Sequence, residues 1–147
     1  MISDRLFRRF YPDNSLNGMI RFYDWIRQNI DPAMCILSLG AGPATKDKIR
    51  ILRGEVAEVI GADPNRIVLS NPELDATVVL SDQKLPFPDA SFDLVFSDFV
   101  LEHIEDPNLF LSLPRVEAGR RLLLQDTQHV SLRSDRLEVH VTLVSCF

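Results

Sequence analysis

The sequence predicts an α/β fold with a mostly parallel sheet and flanking helices, and three observations lead to that prediction. Short, continuous apolar runs recur along the 147-residue chain, as expected for strands that are buried on both faces. Helical or turn-forming segments separate these runs, which is the element order of a parallel sheet with crossover connections. Most runs end in glycine, aspartate or serine, so polar residues gather at the carboxyl edge, where such sheets bind ligands.

The first predicted element is an amphipathic helix. Its apolar residues recur at helical spacing from Met19 to Ile30, with Ser15 or Asn17 as the expected N-cap. Asp31 ends it, because a residue that precedes proline is disfavoured in the helical conformation.

Six strands are predicted after that helix. They are Met34 to Leu39, Val56 to Ile60, Thr77 to Leu80, Phe92 to Phe96, Leu122 to Gln125, and a last strand within Leu137 to Cys146. Between the first two strands, a helix is predicted over Lys46 to Arg53, with Pro43 near its start and Gly54 as its cap. A short third helix is predicted over Asp106 to Leu113.

Composition excludes several classes of function. The net charge of −5 argues against a general binder of nucleic acid or of anionic membranes. No apolar run reaches the ~18 residues that a membrane span requires. Cys35 and Cys146 match no metal or disulfide spacing, which favours free thiols in a reducing cytoplasm. We predict one cytoplasmic domain over residues 1–147, with an N-terminal helical segment at 1–30, a core at 31–125 and an atypical tail at 126–147.

A glycine loop and an aspartate carry the main functional signal. Gly40 and Gly42 follow a predicted strand, where glycine permits a tight turn and lets a ligand approach the bare backbone. Asp63 ends the next strand, where a carboxylate can accept hydrogen bonds from ribose hydroxyls. Taken alone, the loop could be a turn without a ligand, and Asp63 could be a turn former before Pro64. Together they predict a nucleoside-containing cofactor.

The residues around the loop favour S-adenosylmethionine over a dinucleotide. A dinucleotide fingerprint has a third glycine where this chain has Thr45, and Pro43 has no N–H group to offer a pyrophosphate. S-adenosylmethionine carries no phosphate, and its sulfonium is a cation. We expect Asp63, Asp82 and Asp98 to face that cation.

Three segments resemble class I S-adenosylmethionine-dependent methyltransferases, and specifically the large bacterial subgroup called type 11. Ile36 to Pro43 is similar to the first motif of that family, Leu85 to Val95 to the stretch leading into its fourth strand, and Val100 to Pro107 to the segment after it. The resemblance covers roughly residues 30–125 and implies a Rossmann-like sheet.

The resemblance also implies a set of cofactor-binding residues: Gly40, Ala41, Gly42, Asp63, Asp82, Gln83 and Ser97. The glycine loop would pass beneath the methionine part of the cofactor, and Asp63 would hold the ribose hydroxyls. Asp82 with Gln83 would approach the adenine amino group, and Ser97 would line the methionine end.

The implied reaction is methyl transfer to a small-molecule acceptor. A nucleophile of the acceptor attacks the sulfonium methyl group, so the enzyme mainly positions the reactants. His103 is the candidate general base in this region, although a helix-end or packing role is commoner for such a histidine. We assign no catalytic residue and no metal site.

The chain departs from the family pattern in three places. Ser38 stands where the family has an acidic residue, and Ala44 replaces a glycine. Pro114 to Arg121 blurs the motif before the fifth strand, and the chain ends at Phe147, where complete members have a further helix and two strands. The sequence therefore predicts a sheet that is incomplete at its late strands, in a truncated or diverged member.

Two alternative functions and one partner complete the predictions from the sequence. A non-catalytic methyltransferase-like module that acts through a protein partner stays open, and a nicotinamide-dependent oxidoreductase is disfavoured by the loop. The apolar ending from Leu143 to Phe147 is compatible with a homodimer.

Overall fold

The computed structural model describes residues 18–81, 86–88 and 91–100, and the backbone of two later strands. The elements in chain order are α1 (Gly18–Arg27), β1 (Cys35–Leu39), β2 (Glu58–Asp63), a 3₁₀ helix (Arg66–Ser70), β3 (Ala76–Val79), β4 (Leu94–Asp98), β5 (Arg121–Gln125) and β6 (Val139–Val141). The predicted helix over Asp106 to Leu113 lies outside the described residues. No helix within the described ranges is long and apolar enough to span a membrane.

All six described strands run parallel in one sheet, in the order β3-β2-β1-β4-β5-β6. The chain moves outward from β1 to β3 and then returns to place β4 on the other side of β1. This reversal opens a crevice at the carboxyl ends of β1 and β4, where sheets of this type bind ligands. The predicted α/β fold is confirmed.

Helix α1 covers the face of the sheet beside β1 and β4. Phe22 and Ile26 lie one turn apart on its buried stripe and are 1% and 0% exposed. They pack in the core with Ile36 of β1 and Leu94 of β4. Burying each such side chain contributes roughly 1.5–3 kcal/mol, so this stripe docks the helix firmly.

The strands β2 and β4 reach further toward the carboxyl edge than their apolar runs predict. β2 ends at Asp63 rather than Ile60, because Gly61 and Ala62 pair with the last two residues of β1. β4 ends at Asp98 rather than Phe96 and pairs with β1 and β5. Pairing with neighbouring strands thus extends β2 and β4 into their polar ends. Asp63 and Asp98, the last residues of these strands, therefore lie beside the crevice.

The predicted helix over Lys46 to Arg53 is wrong, since this segment forms turns. Lys46 has a φ of +59°, a left-handed conformation that interrupts a right-handed helix. Asp47 accepts a hydrogen bond from the Ile49 N–H at 3.0 Å, a local bond that competes with helix formation. The backbone bonds of this segment are short-range turn bonds, from the Arg50 N–H to the Asp47 carbonyl and from the Glu55 N–H to the Leu52 carbonyl, each at 3.0 Å.

Two aspartates tie the amino edge of the sheet in the same way. Asp93, just before β4, donates its N–H to the Cys35 carbonyl and accepts the Cys35 N–H on Oδ2, both at 2.9 Å. Asp75, just before β3, makes the same pair of bonds with Val59, also at 2.9 Å each. These carboxylates act as additional ladder acceptors where the strands begin.

Candidate functional site

A cavity of about 480 Å³ opens at the carboxyl ends of β1 and β4. This volume lies within the range of small-molecule sites. Its described wall combines the glycine loop with Tyr23 of α1, Ser38 of β1, Arg50 and Asp98. The cavity therefore lies at the reversal point of the strand order, as the fold predicts.

Gly40 begins the loop in a conformation that other residues rarely adopt. Its φ is +69°, and its N–H donates to the Ala62 carbonyl of β2 at 2.7 Å. A Cβ at this position would overlap the side chain of Val100. Glycine is thus required by both backbone angle and space, which agrees with the prediction of a tight turn with bare backbone.

Asp63 lies behind the loop and fixes its course. The side chain is buried, with Oδ2 accepting the Gly42 N–H at 3.0 Å and Oδ1 accepting the Asn65 N–H at 2.7 Å. Asp63 is not among the residues that line the cavity. The ribose contact stays a prediction, and the structure adds a loop-positioning role that sequence reasoning missed.

Asn71 and Glu73 hold the rest of the loop from the connection before β3. Asn71 Nδ2 donates to the Gly42 carbonyl at 3.1 Å, and Asn71 Oδ1 accepts the Glu73 N–H at 2.9 Å. Glu73 accepts the N–H groups of Thr45 at 2.9 Å and Lys46 at 2.6 Å. The loop is therefore bound at three points by side chains from one connection and the end of β2.

A polar cluster of Tyr23, Arg50 and Asp98, the Asp98 cluster, forms another part of the wall. Asp98 Oδ2 accepts from the Tyr23 hydroxyl at 3.2 Å and from Arg50 Nε at 3.0 Å, and it is ion-paired with Arg50 Nη2. The Asp98 side chain is 8% exposed, and its Oδ1 has no partner among the described residues. A carboxylate with one free oxygen is thus held rigidly at the end of β4.

Burial and charge set the protonation of this cluster. Burial raises the pKa of Asp98, against the opposing charge of Arg50. Burial likewise raises the pKa of Tyr23, and the Asp98 charge adds to that effect. Burial lowers the pKa of Arg50, but Asp98 outweighs it and the net direction is upward. Tyr23 is therefore neutral and Arg50 charged near neutral pH.

The described wall of the cavity carries a net charge of −1. Its charged residues are Arg50, Glu73 and Asp98, one cation and two carboxylates, since Tyr23 is neutral. Arg50 is already paired with Asp98. Such a wall favours a ligand with a net positive charge. No group of metal-binding side chains occurs among the residues described.

The structure brings together only some of the predicted site residues. Gly40, Ala41 and Gly42 line the cavity together with Asp98, which was expected to face a cation. Ser97 is buried within β4 and does not line the cavity, and its hydroxyl has no partner in the described part of the chain. The predicted residues Asp82, Gln83 and His103 lie outside the described residues.

The wall residues that sequence reasoning did not assign to the site include Tyr23, Arg50, Asn71 and Glu73. Tyr23 did carry a signal, because it is the one hydroxyl-bearing aromatic on the apolar stripe of α1. The other three had no local signal, since their role depends on contacts with distant residues.

A family model described as a methyltransferase domain matches residues 37–113, just over half of the chain. The chain belongs to this methyltransferase family. The match includes the glycine loop, β2, β3 and β4, so it covers the described strands around the cavity. The resemblance to class I methyltransferases seen in the sequence is thereby confirmed.

Two solved structures are among those similar to this chain. An S-adenosylmethionine-dependent methyltransferase from Mesorhizobium loti is 24% identical with a TM-score of 0.46, and the match covers 65% of this chain and 47% of that one. The YcgJ protein from Bacillus subtilis is 23% identical with a TM-score of 0.47, covering 65% and 42%. The chain thus spans less than half the length of these two structures. A comparison with curated proteins found no match.

Proposed function

We propose that this methyltransferase-family chain binds S-adenosylmethionine in the cavity and transfers its methyl group to a small-molecule acceptor. The observation that carries the proposal is the glycine loop, whose bare backbone lines a cavity with a net charge of −1 at the reversal point of the sheet. S-adenosylmethionine has a net positive charge, because its sulfonium adds to an amino acid zwitterion.

A dinucleotide suits this cavity poorly. Pyrophosphate sites use the N–H groups at the start of a helix, and the segment after the loop forms turns instead. The described wall also offers one cation, Arg50, which is already paired with Asp98. These features favour the methyltransferase reading over a nicotinamide-dependent oxidoreductase.

The residues of the loop and the Asp98 cluster would supply binding and orientation. When bound, S-adenosylmethionine supplies a methyl group on a positively charged sulfur, so its leaving group is already activated. The loop from Gly40 to Gly42 admits the ligand close to the backbone, and Asp98, whose side chain is 8% exposed, provides negative charge in the wall. We also keep Asp63, Asp82, Gln83 and Ser97 as proposed cofactor residues. Positioning of this kind accounts for much of the rate of such displacements.

Calorimetry with S-adenosylmethionine, S-adenosylhomocysteine and NAD tests the cofactor. We expect the first two to bind and NAD to show no binding. The substitution Asp63→Ala removes the acceptor of the Gly42 N–H, so it should abolish most of the affinity. Glu55→Gln is the matched control, because Glu55 pairs with Arg27 away from the cavity.

Failure of both adenosyl ligands to bind would contradict the proposal. Retained affinity in Asp63→Ala would remove that residue from the site. Binding without methyl transfer to any acceptor in a panel of small nucleophiles would favour the non-catalytic module instead. A cytoplasmic location, a homodimer and the absence of nucleic-acid or membrane partners remain predictions of the sequence.

A further inference from the structure

The Glu73 carboxylate is bound by backbone N–H groups that follow the glycine loop, and this group of donors is suited to an anion. Its carboxylate accepts two consecutive backbone N–H groups, from Thr45 at 2.9 Å and Lys46 at 2.6 Å, and also the Thr45 hydroxyl at 3.1 Å. Lys46 has a φ of +59°. Consecutive N–H groups around a left-handed residue form a concave nest, which commonly binds phosphate. In this chain a side chain of the protein itself fills the nest.

The carboxylate is held in the nest from behind. Asn71 is 8% exposed and accepts the Glu73 N–H on Oδ1 at 2.9 Å. The same Asn71 donates from Nδ2 to the Gly42 carbonyl at 3.1 Å. Glu73 and the glycine loop are thus joined through one buried amide, so the position of the carboxylate is fixed relative to the cavity.

We propose that Glu73 determines which class of nucleoside ligand the cavity accepts. By filling the nest, it removes the donors that a phosphate would need, and by adding a negative charge to the wall, it favours a cationic cofactor. This inference rests on the proposed function, in which S-adenosylmethionine is the ligand. It assigns the preference against phosphate-bearing nucleotides to one side chain.

The substitution Glu73→Gln separates charge from shape. It changes the net charge of the described wall from −1 to 0, since Arg50 and Asp98 remain. A glutamine has one carbonyl oxygen and one NH2 group in place of two carboxylate oxygens, so one of the two nest donors loses its acceptor while the shape of the side chain is nearly unchanged. Glu73→Asp keeps the charge and is the conservative counterpart.

The test is calorimetry of the wild type and both variants with S-adenosylmethionine, ADP and adenosine. In Glu73→Gln we expect the affinity for S-adenosylmethionine to fall about tenfold and the affinity for ADP to rise about tenfold. Removing one unit charge close to a charged group of the ligand changes the binding affinity by a factor of about this size. Adenosine, which is uncharged, should change by less than about twofold. Glu73→Asp should still exclude ADP. Glu55→Gln removes the same charge from the exposed pair with Arg27 and should change none of the three.

Opposite effects on the cationic and anionic ligands are the deciding result, because a purely structural role would weaken all three together. A parallel loss for all three ligands would therefore overturn the inference, as would an unchanged ADP affinity in a Glu73→Gln variant that still binds adenosine. A wild type that binds neither S-adenosylmethionine nor S-adenosylhomocysteine would instead contradict the proposed function on which the inference rests.

Discussion

At the amino edge of the sheet carboxylates complete the strand ladders, whereas at the carboxyl edge they surround an open cavity. Asp75 and Asp93 each bond to one residue of the neighbouring strand through both N–H and carboxylate. At the other edge, Asp63 and Glu73 accept from the N–H groups of a loop. Asp98 there retains an oxygen without a partner among the described residues.

This difference shows how one residue type serves stability at one edge and binding at the other. Carboxylates that close ladder bonds hold strands, and their removal should cost stability alone. Carboxylates that shape the loop or line the cavity should affect ligand binding. Four predictions test this division, beginning with the largest expected effect.

Gly40→Ala should damage the carboxyl edge most. A left-handed φ and an overlap with Val100 together should lower the free energy of unfolding by about 3 kcal/mol, and cofactor binding should be lost. Urea denaturation and calorimetry measure the two effects. Gly54→Ala is the control, since Gly54 has a φ of +87° but open space around it. It should cost about 1 kcal/mol without affecting binding. If the double variant Gly40→Ala/Val100→Ala is no more stable than Gly40→Ala, the overlap with Val100 is not the cause of the lost stability.

Asp75→Ala should cost stability at the amino edge without affecting the site. It leaves the N–H of Val59, which is 2% exposed, without its side-chain acceptor. We expect a loss of about 2 kcal/mol in the free energy of unfolding and cofactor affinity within about twofold of the wild type. Arg53→Ala removes the more exposed ion-pair partner of Asp75, together with an exposed hydrogen bond to the Pro72 carbonyl, and should cost less than about 1 kcal/mol. A large loss of affinity in Asp75→Ala would break the division between the edges.

Asp98 should make stability depend on pH. Its pKa in the folded state is raised by burial, against the charge of Arg50. The folded chain therefore holds this proton more tightly than the unfolded chain, and the associated stability is lost as pH rises from about 4 through the raised pKa. The difference in unfolding free energy between the wild type and Asp98→Asn should fall over this range. A difference that is constant with pH would show that burial does not dominate.

Cys35 should show the smallest effect, on reactivity alone. Burial raises the pKa of its thiol to about 11, and Glu58 beside it adds to the shift. In a Cys146→Ser background, the rate of alkylation should therefore still be rising with pH above about 9. Glu58→Gln should speed alkylation at about pH 8, while Glu55→Gln should not. Equal rates in both variants would remove Glu58 as a cause.

The fold class and the edge of the sheet that holds the cavity could both be predicted from the sequence. Parallel strands buried on both faces must be apolar throughout, so their runs could be recognised without knowledge of their partners. The parallel direction of the predicted strands could place the glycine loop and the aspartates at one edge, because the carboxyl ends of parallel strands meet there. These features depend on local composition, which is why Gly40 and Asp98 were predicted at the cavity.

The side-chain contacts in the wall of the cavity could not be predicted, because they join residues that are distant in the sequence. The helix predicted over Lys46 to Arg53 is replaced by turns, and the N–H of Lys46 is bound by Glu73, 27 residues away. The Asp98 cluster joins side chains that are 48 and 75 residues apart. Local periodicity carries no information about hydrogen bonds between such distant residues. The polar contacts of the wall could therefore be identified only from the folded structure.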